Sequence, residues 1–115
     1  METVSEKVGR YRQIIKEILT KRAAVPYLEK GIRDRLLFDE KNDCYALISE
    51  GWRKTERIHH VIIDLEIINE KIWIQADNTD IAVARELEQY GVPRSDIVLG
   101  FRSPETRIYT EYAAA

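Results

Sequence analysis

Four runs of strand character follow one another between Arg35 and Asp77, separated by only a few residues each. The runs are "RLLFDE", "CYALISEGW", "RIHHVIIDLEII" and "KIWIQAD", joined by "KND", "RKTE" and "NE". Parallel strands need a crossover of about a dozen residues or more, whereas connections this short join antiparallel neighbours. The order predicts an antiparallel β-meander of four strands, with "DIVLGF" as a fifth.

Two helices flank it. "VSEKVGRYRQIIKEILTKRAAV" has Ser5 as a candidate cap, and Val8, Tyr11, Ile15, Ile18 and Leu19 recur on one side at helical spacing. Pro26 ends this helix, and "LEKGIRDR" reads as a linker. "NTDIAVARELEQYG" is the second helix, after strand four. Asn78 or Thr79 caps it, Asp80 sits at its positive end, and Ile81, Ala84 and Leu87 form its stripe. Gly91 stops it in the left-handed conformation and Pro93 prevents its resumption. The predicted class is α+β, and "RSPETRIYTEYAAA" is left as an irregular tail.

A chain of 115 residues suits a single domain with one core. With 44% hydrophobic and 33% charged residues it has the composition of a soluble folded protein. The one cysteine, Cys44, excludes an internal disulfide and fits a reducing compartment. It sits in "NDCYALI" without a basic neighbour, which points to a structural role. The first ten residues lack the apolar core of a signal peptide, and no run approaches the length of a membrane span. The expected location is the cytoplasm. A net charge of -2 makes nucleic acid an unfavourable sole partner.

Both histidines, an aspartate and a glutamate fall within "RIHHVIIDLEII", the ligand types of a hydrolytic metal site. Strand geometry argues against it. Alternation places His59 with Val61, Ile63, Leu65 and Ile67 on the apolar, core side, and His60 with Ile62, Asp64, Glu66 and Ile68 on the other. His60 and Asp64 then stand roughly 13 Å apart, far beyond the spacing of two ligands on one zinc. Asp64 and Glu66 alone would make a weak site for a hard cation. The serines lack a nucleophile-elbow setting and the glycines are scattered, so no enzyme and no cofactor are expected.

The second face is the unusual feature. Pairing across "NE" sets Ile67 opposite Ile72 and Leu65 opposite Ile74 on the core side, with Glu66 facing Trp73 and Asp64 facing Gln75 on the other. Strand two is apolar on both sides. Either the helices divide between the faces, or the tail or first helix covers the second face, or another chain meets it. Ile62, Asp64, Glu66, Ile68, Trp73 and Gln75 are the candidate partner-binding residues. Two alternatives stay open. One is DNA contact through Arg10, Arg12, Lys16, Lys21 and Arg22 of helix one, although acids interleave with them. The other is a metal-dependent enzyme on the Asp64/Glu66 face.

"YRQIIKEIL", "FDEKNDCY", "GW", "KIWIQ", "GVPRSDIVLGF" and "SPETRIYTEYA" occur in order from Tyr11 to Ala115, and in this combination the chain resembles the XisI family. The resemblance implies a small α+β protein without a recognised catalytic site. It also implies association with a second factor, XisH, which is similar to restriction-type nucleases. Both are linked in cyanobacteria with excision of the fdxN element by a site-specific recombinase during heterocyst differentiation. A protein partner of that kind, an XisH-like nuclease or a recombinase complex, is what the resemblance implies; the second face of the sheet leaves a second copy of this chain as another candidate. Two positions depart from the family pattern. Asn69-Glu70 stands where Asp-Gly is expected, so the turn should be longer or strained, and Glu111 stands where a small residue is expected.

Overall fold

A computed structural model describes residues 1–26 and 29–115. Tyr27 and Leu28 lie outside the described residues, and with Leu28 so does the first residue of the expected linker. Helix α1 spans Val4–Ala23. Its cap is Thr3 rather than Ser5: the Glu6 N–H donates to Thr3 Oγ1 at 3.0 Å, and the Thr3 N–H donates to Glu6 at 3.3 Å. That reciprocal box needs a hydroxyl three residues before the glutamate, which excludes Ser5.

The meander is present as β1 (Ile32–Asp39), β2 (Cys44–Arg53), β3 (Glu56–Ile68) and β4 (Lys71–Asp77), all antiparallel. β1 begins at Ile32, inside the expected linker, because its register with β2 runs unbroken back to Ile32 opposite Gly51. β5 (Ile97–Leu99) completes the order β1-β2-β3-β4-β5, but it runs parallel to β4. The reason is α2 (Val83–Gln89), which carries the chain back along β4 before β5 starts, as a parallel pair requires. The tail holds one short helix, α3 (Pro104–Arg107).

Both long helices pack on one side of the sheet. Tyr11, Ile14, Ile15, Ile18 and Leu19 of α1 join Val83, Ala84 and Leu87 of α2 over Tyr45, Leu47, Ile63, Leu65, Ile67, Ile72, Ile74 and Ile97. Two β-bulges interrupt the alternation. Leu47 faces Ile63 and Ile48 faces Val61, so Ile62 is an inserted residue; Asp64 faces Ala76 and Leu65 faces Ile74, so Gln75 is another. The first bulge overturns the placement of His59 at the end of the core face. His59 is exposed, Val61 is 40% exposed, and Ile58 is buried instead.

The second helix is shorter than expected and is not capped by Asn78 or Thr79. Asn78 continues the strand pairing, its N–H donating to the Ile62 carbonyl at 2.8 Å. Asp77 gathers the helix start instead, accepting from the Val83 N–H at 2.8 Å and the Thr79 N–H at 3.1 Å. Ile81 consequently lies before the helix and is 73% exposed. The Asn69-Glu70 turn keeps its two residues and is the strained alternative: φ is 50° and 66°, a geometry that costs a residue such as Glu70 about 1 kcal/mol or more.

Gly91 ends α2 as expected, with φ 94°. The Val92 N–H reaches the Leu87 carbonyl and the Gly91 N–H reaches that of Glu88, the two bonds of a Schellman motif. A β-carbon at Gly91 would meet nothing within 4 Å, so Gly91→Val isolates the backbone term. We expect a loss of about 1–2 kcal/mol, read as a lower melting temperature with unchanged circular dichroism at 25 °C. A shift of less than a degree would contradict this end to the helix.

Candidate functional site

Of the alternatives for the second face, a division of the helices between the two sides is not what the chain adopts. With α1 and α2 together on one side, the opposite side is lined in register by Asp39, Cys44, Glu66, Trp73 and Val98, and by Leu37, Ala46, Asp64 and Ala76. Asp64, Glu66, Trp73 and Gln75 come together there. Glu66 lies opposite Trp73, and Gln75 Nε2 donates to Glu66 Oε1 at 3.1 Å. Gln75 bonds Glu66 rather than facing Asp64 because it is the bulged residue. Ile68 stands half-buried at the end of β3, opposite Lys71. Ile62 leaves the set: inserted at its bulge, it packs against the helix-side core. There, with Leu47, Ile81 and Arg22, it lines a cleft of about 500 Å³.

The tail covers part of the second face. Arg107 of α3 lies over the Trp73 ring, 4.9 Å from its centroid. Ser103 caps that helix, accepting from the Thr106 N–H at 3.3 Å, and Pro104 occupies its first turn. Gly100 passes so close that a β-carbon there would lie 2.5 Å from Gln75 Oε1. Val98, opposite Trp73, is fully buried. Glu111, the departure from the family pattern, ties this segment down by accepting from Arg94 at 3.0 Å and from Arg85. Trp73 is therefore half-buried against its own chain.

The β1–β2 side of the same face stays open. Leu37, Phe38, Asp39, Cys44, Tyr45, Ala46 and Asp64 line a groove of about 400 Å³, with Leu37 46% exposed. Burial raises the pKa of Asp64, and neighbouring Glu66 raises it further. Burial, then the carboxylates of Glu66, Asp39 and Asp64, raise that of the Cys44 thiol, so this cysteine is held protonated and is a poor nucleophile. Its Sγ–H points to Glu66 Oε2 at 3.8 Å. Leu37 and Cys44 were absent from the candidate set because strand one was read without its register to strand two.

The raised Asp64 carboxyl has a consequence for stability. Its folded pKa lies above its unfolded value, so ionising it favours the unfolded chain, and the penalty is complete once the pH exceeds the folded value. Asp64→Asn is expected to raise the melting temperature by a few degrees at pH 7. The difference should shrink as the pH falls through the raised value and vanish below the ordinary aspartate range. Equal melting of the two proteins at pH 7 would refute it.

The basic residues of helix one are engaged within the chain. Arg10 pairs with Glu2 at 2.8 Å, Arg12 with Asp43 at 2.6 Å, Lys16 with Glu40, Lys21 with Glu17 at 3.3 Å, and Arg22 with Glu86 at 2.8 Å. Among the described residues, no group of three or more His, Cys, Asp or Glu side chains is placed to hold a metal ion. No helix among them is long and apolar enough to cross a membrane.

Fold and face together define a small α+β protein: a five-stranded mixed sheet with two helices on one side and a tail half-covering the other. The chain belongs to the XisI protein family, which it matches over residues 5–114. It is similar to the solved structure of a XisI-like protein from Anabaena variabilis, with 36% identity and a TM-score of 0.88, covering 92% of this chain and 97% of that one. It is likewise similar to the fdxN element excision controlling factor XisI of the same organism. There the identity is 40% and the TM-score 0.82, over 95% of this chain and 99% of that one. No protein with a curated description matches the chain.

Proposed function

We propose that this chain is an accessory factor in the excision of a DNA element, and that it acts by holding a protein partner on the open half of its second face. The observation that carries the reading is the one-sided packing of both helices, which leaves Leu37, Ala46 and Asp64 open on an otherwise folded sheet. The 40% identity to an excision controlling factor supports the excision role. The internal pairing of the helix-one cations favours a protein over DNA as the partner. Affinity for a phosphate backbone comes from unspent Lys and Arg. The factor is non-catalytic in this reading, because its cysteine is protonated and its carboxylates serve as docking groups. The partner class is an XisH-like nuclease or the recombinase it assists, and Trp73 with Gln75 forms the rim of the site under Arg107.

The test is co-purification of tagged chain with an XisH-like nuclease or the recombinase from the same host, comparing native protein with Ala46→Arg. An arginine there fills the groove from the open side. We expect retention of the partner to fall at least about tenfold while the melting temperature stays within a few degrees. Equal retention by the two proteins would remove the groove from the interaction. Sequence-dependent nanomolar binding of duplex DNA by the chain alone, near physiological salt, would replace the reading with direct DNA recognition.

A further inference from the structure

β1 and β5 are the outer strands of the sheet, and their edges are treated differently. The edge of β5 is closed by the tail, where the Ala113 N–H donates to the Ile97 carbonyl at 2.9 Å and Ala113 bridges to Val98. β1 has eight residues and, among the described residues, pairs with β2 alone and carries no bulge. Sheet edges are normally blunted by bulges, proline, short length, charged side chains or cover, because their unpaired amides template further pairing. β1 has none of the first three; its charges, Arg33, Asp34, Arg35 and Asp39, flank the apolar stretch Leu36-Leu37-Phe38, in which Leu37 is 46% and Phe38 38% exposed.

The backbone phase of this edge follows from two hydrogen bonds. The Trp52 N–H donates to the Gly31 carbonyl, and the Ile67 N–H to the Asp43 carbonyl. Both place the odd-numbered residues of β1 in hydrogen-bonded pairs with β2, so Ile32, Asp34, Leu36 and Phe38 direct their N–H and C=O groups outward. An identical strand pairing antiparallel about a two-fold axis must match these even positions with even positions. Centring on Arg35 opposes two arginines. Centring on Leu37 opposes Asp34 with Glu40 and Arg33 with Lys41. Centring on Leu36 opposes no like charges: Leu36 meets Leu36, Arg35 meets Leu37, Asp34 meets Phe38, and Arg33 meets Asp39 twice. Arg33 can serve this contact, since its side chain is 72% exposed while it reaches Glu50.

The geometry points to a second copy of this chain on the β1 edge, paired about a two-fold axis through Leu36 to give one ten-stranded sheet. The two open grooves then lie side by side on a single continuous face. Such an interface is isologous, closes at two copies, and leaves no long edge unpaired.

Sedimentation equilibrium of the full chain between about 1 and 100 µM tests it. The expected result is a mass that approaches twice the monomer's 13.5 kDa across this range. Leu36→Pro removes an outward N–H without touching the ladder to β2, and should sediment as a monomer with unchanged circular dichroism. Arg33→Asp should weaken association about tenfold or more by opposing two pairs of aspartates, and adding Asp39→Arg should restore it. If the proline variant loses its fold, the charge pair decides. A native chain that stays monomeric at 100 µM, a folded Leu36→Pro that still dimerises, or failure of the charge swap to restore association would each overturn the pairing.

Discussion

Tyr11→Ala is expected to remove about 3–5 kcal/mol of stability, the cost of deleting a fully buried aromatic side chain. Tyr11 sits on α1 with the Arg10 and Lys7 cations 5.1 and 5.7 Å from its ring centroid, and its hydroxyl donates to Asp96, just before β5. Lys7 also reaches Asp96, at 2.9 Å. Burial, then the bond to Asp96, raises the pKa of the phenol, so the donor keeps its proton at physiological pH. Tyr11→Phe keeps the ring and leaves Asp96 to Lys7, and should cost only about 1–2 kcal/mol. Urea unfolding followed by fluorescence of the two tryptophans separates the ring from the hydroxyl. Equal losses for the two variants would mean that the ring contributes little.

Gly51→Ala is the second large effect, expected at about 3 kcal/mol or more from overpacking and backbone strain together. Gly51 has φ 152°, and a β-carbon there would fall 1.8 Å from the Gly31 carbonyl oxygen and 2.8 Å from Ile32 Cα. The obstruction is backbone and cannot rotate away. Because the Trp52 N–H bonds that same carbonyl, relieving the clash would also break the β1–β2 pairing at its end. A variant that melts within a few degrees of the native chain would show that this crossing has room to separate.

These two positions also explain why some of the architecture was readable and some was not. The motifs "YRQIIKEIL" and "GVPRSDIVLGF" lie at opposite ends of the chain, yet Tyr11 and Asp96 join them; spacing alone carries no sign of that. Short turns made the meander and the pairs Glu66–Trp73, Leu65–Ile74 and Ile67–Ile72 legible, because a two-residue connection leaves one register. Beyond each bulge the reading failed. Ile62 and Gln75 have ordinary strand chemistry, and nothing in their identity marks them as inserted, so Ile62 was placed on the wrong side and His59 in the core. β5 was found as a strand but not by direction, since three residues show no alternation and the helix before it is only seven residues long. Capping was misread by a few residues at both helices because several hydroxyls and carboxylates compete near each start. Part of the candidate site was legible as chemistry, in Asp64, Glu66, Trp73 and Gln75. The open groove needed Leu37 and Cys44, which only the β1–β2 register brings together.

The Tyr11–Asp96 contact has a further meaning for a chain made in one direction. It closes a separation of 85 residues, while the hairpins beside it close over a handful. As the polypeptide leaves the ribosome, α1 is present long before Asp96 has been synthesised. Ile14, Ile15, Ile18 and Leu19 can seat the helix on the growing meander, and Arg12 and Lys16 can tie it to Asp43 and Glu40 at the β1–β2 turn, but its link to β5 awaits the far end of the chain. Birth order thus separates the fastening of the helix to the early hairpin from its fastening to the late strand, and the nascent chain must tolerate a helix held at one side of the sheet only.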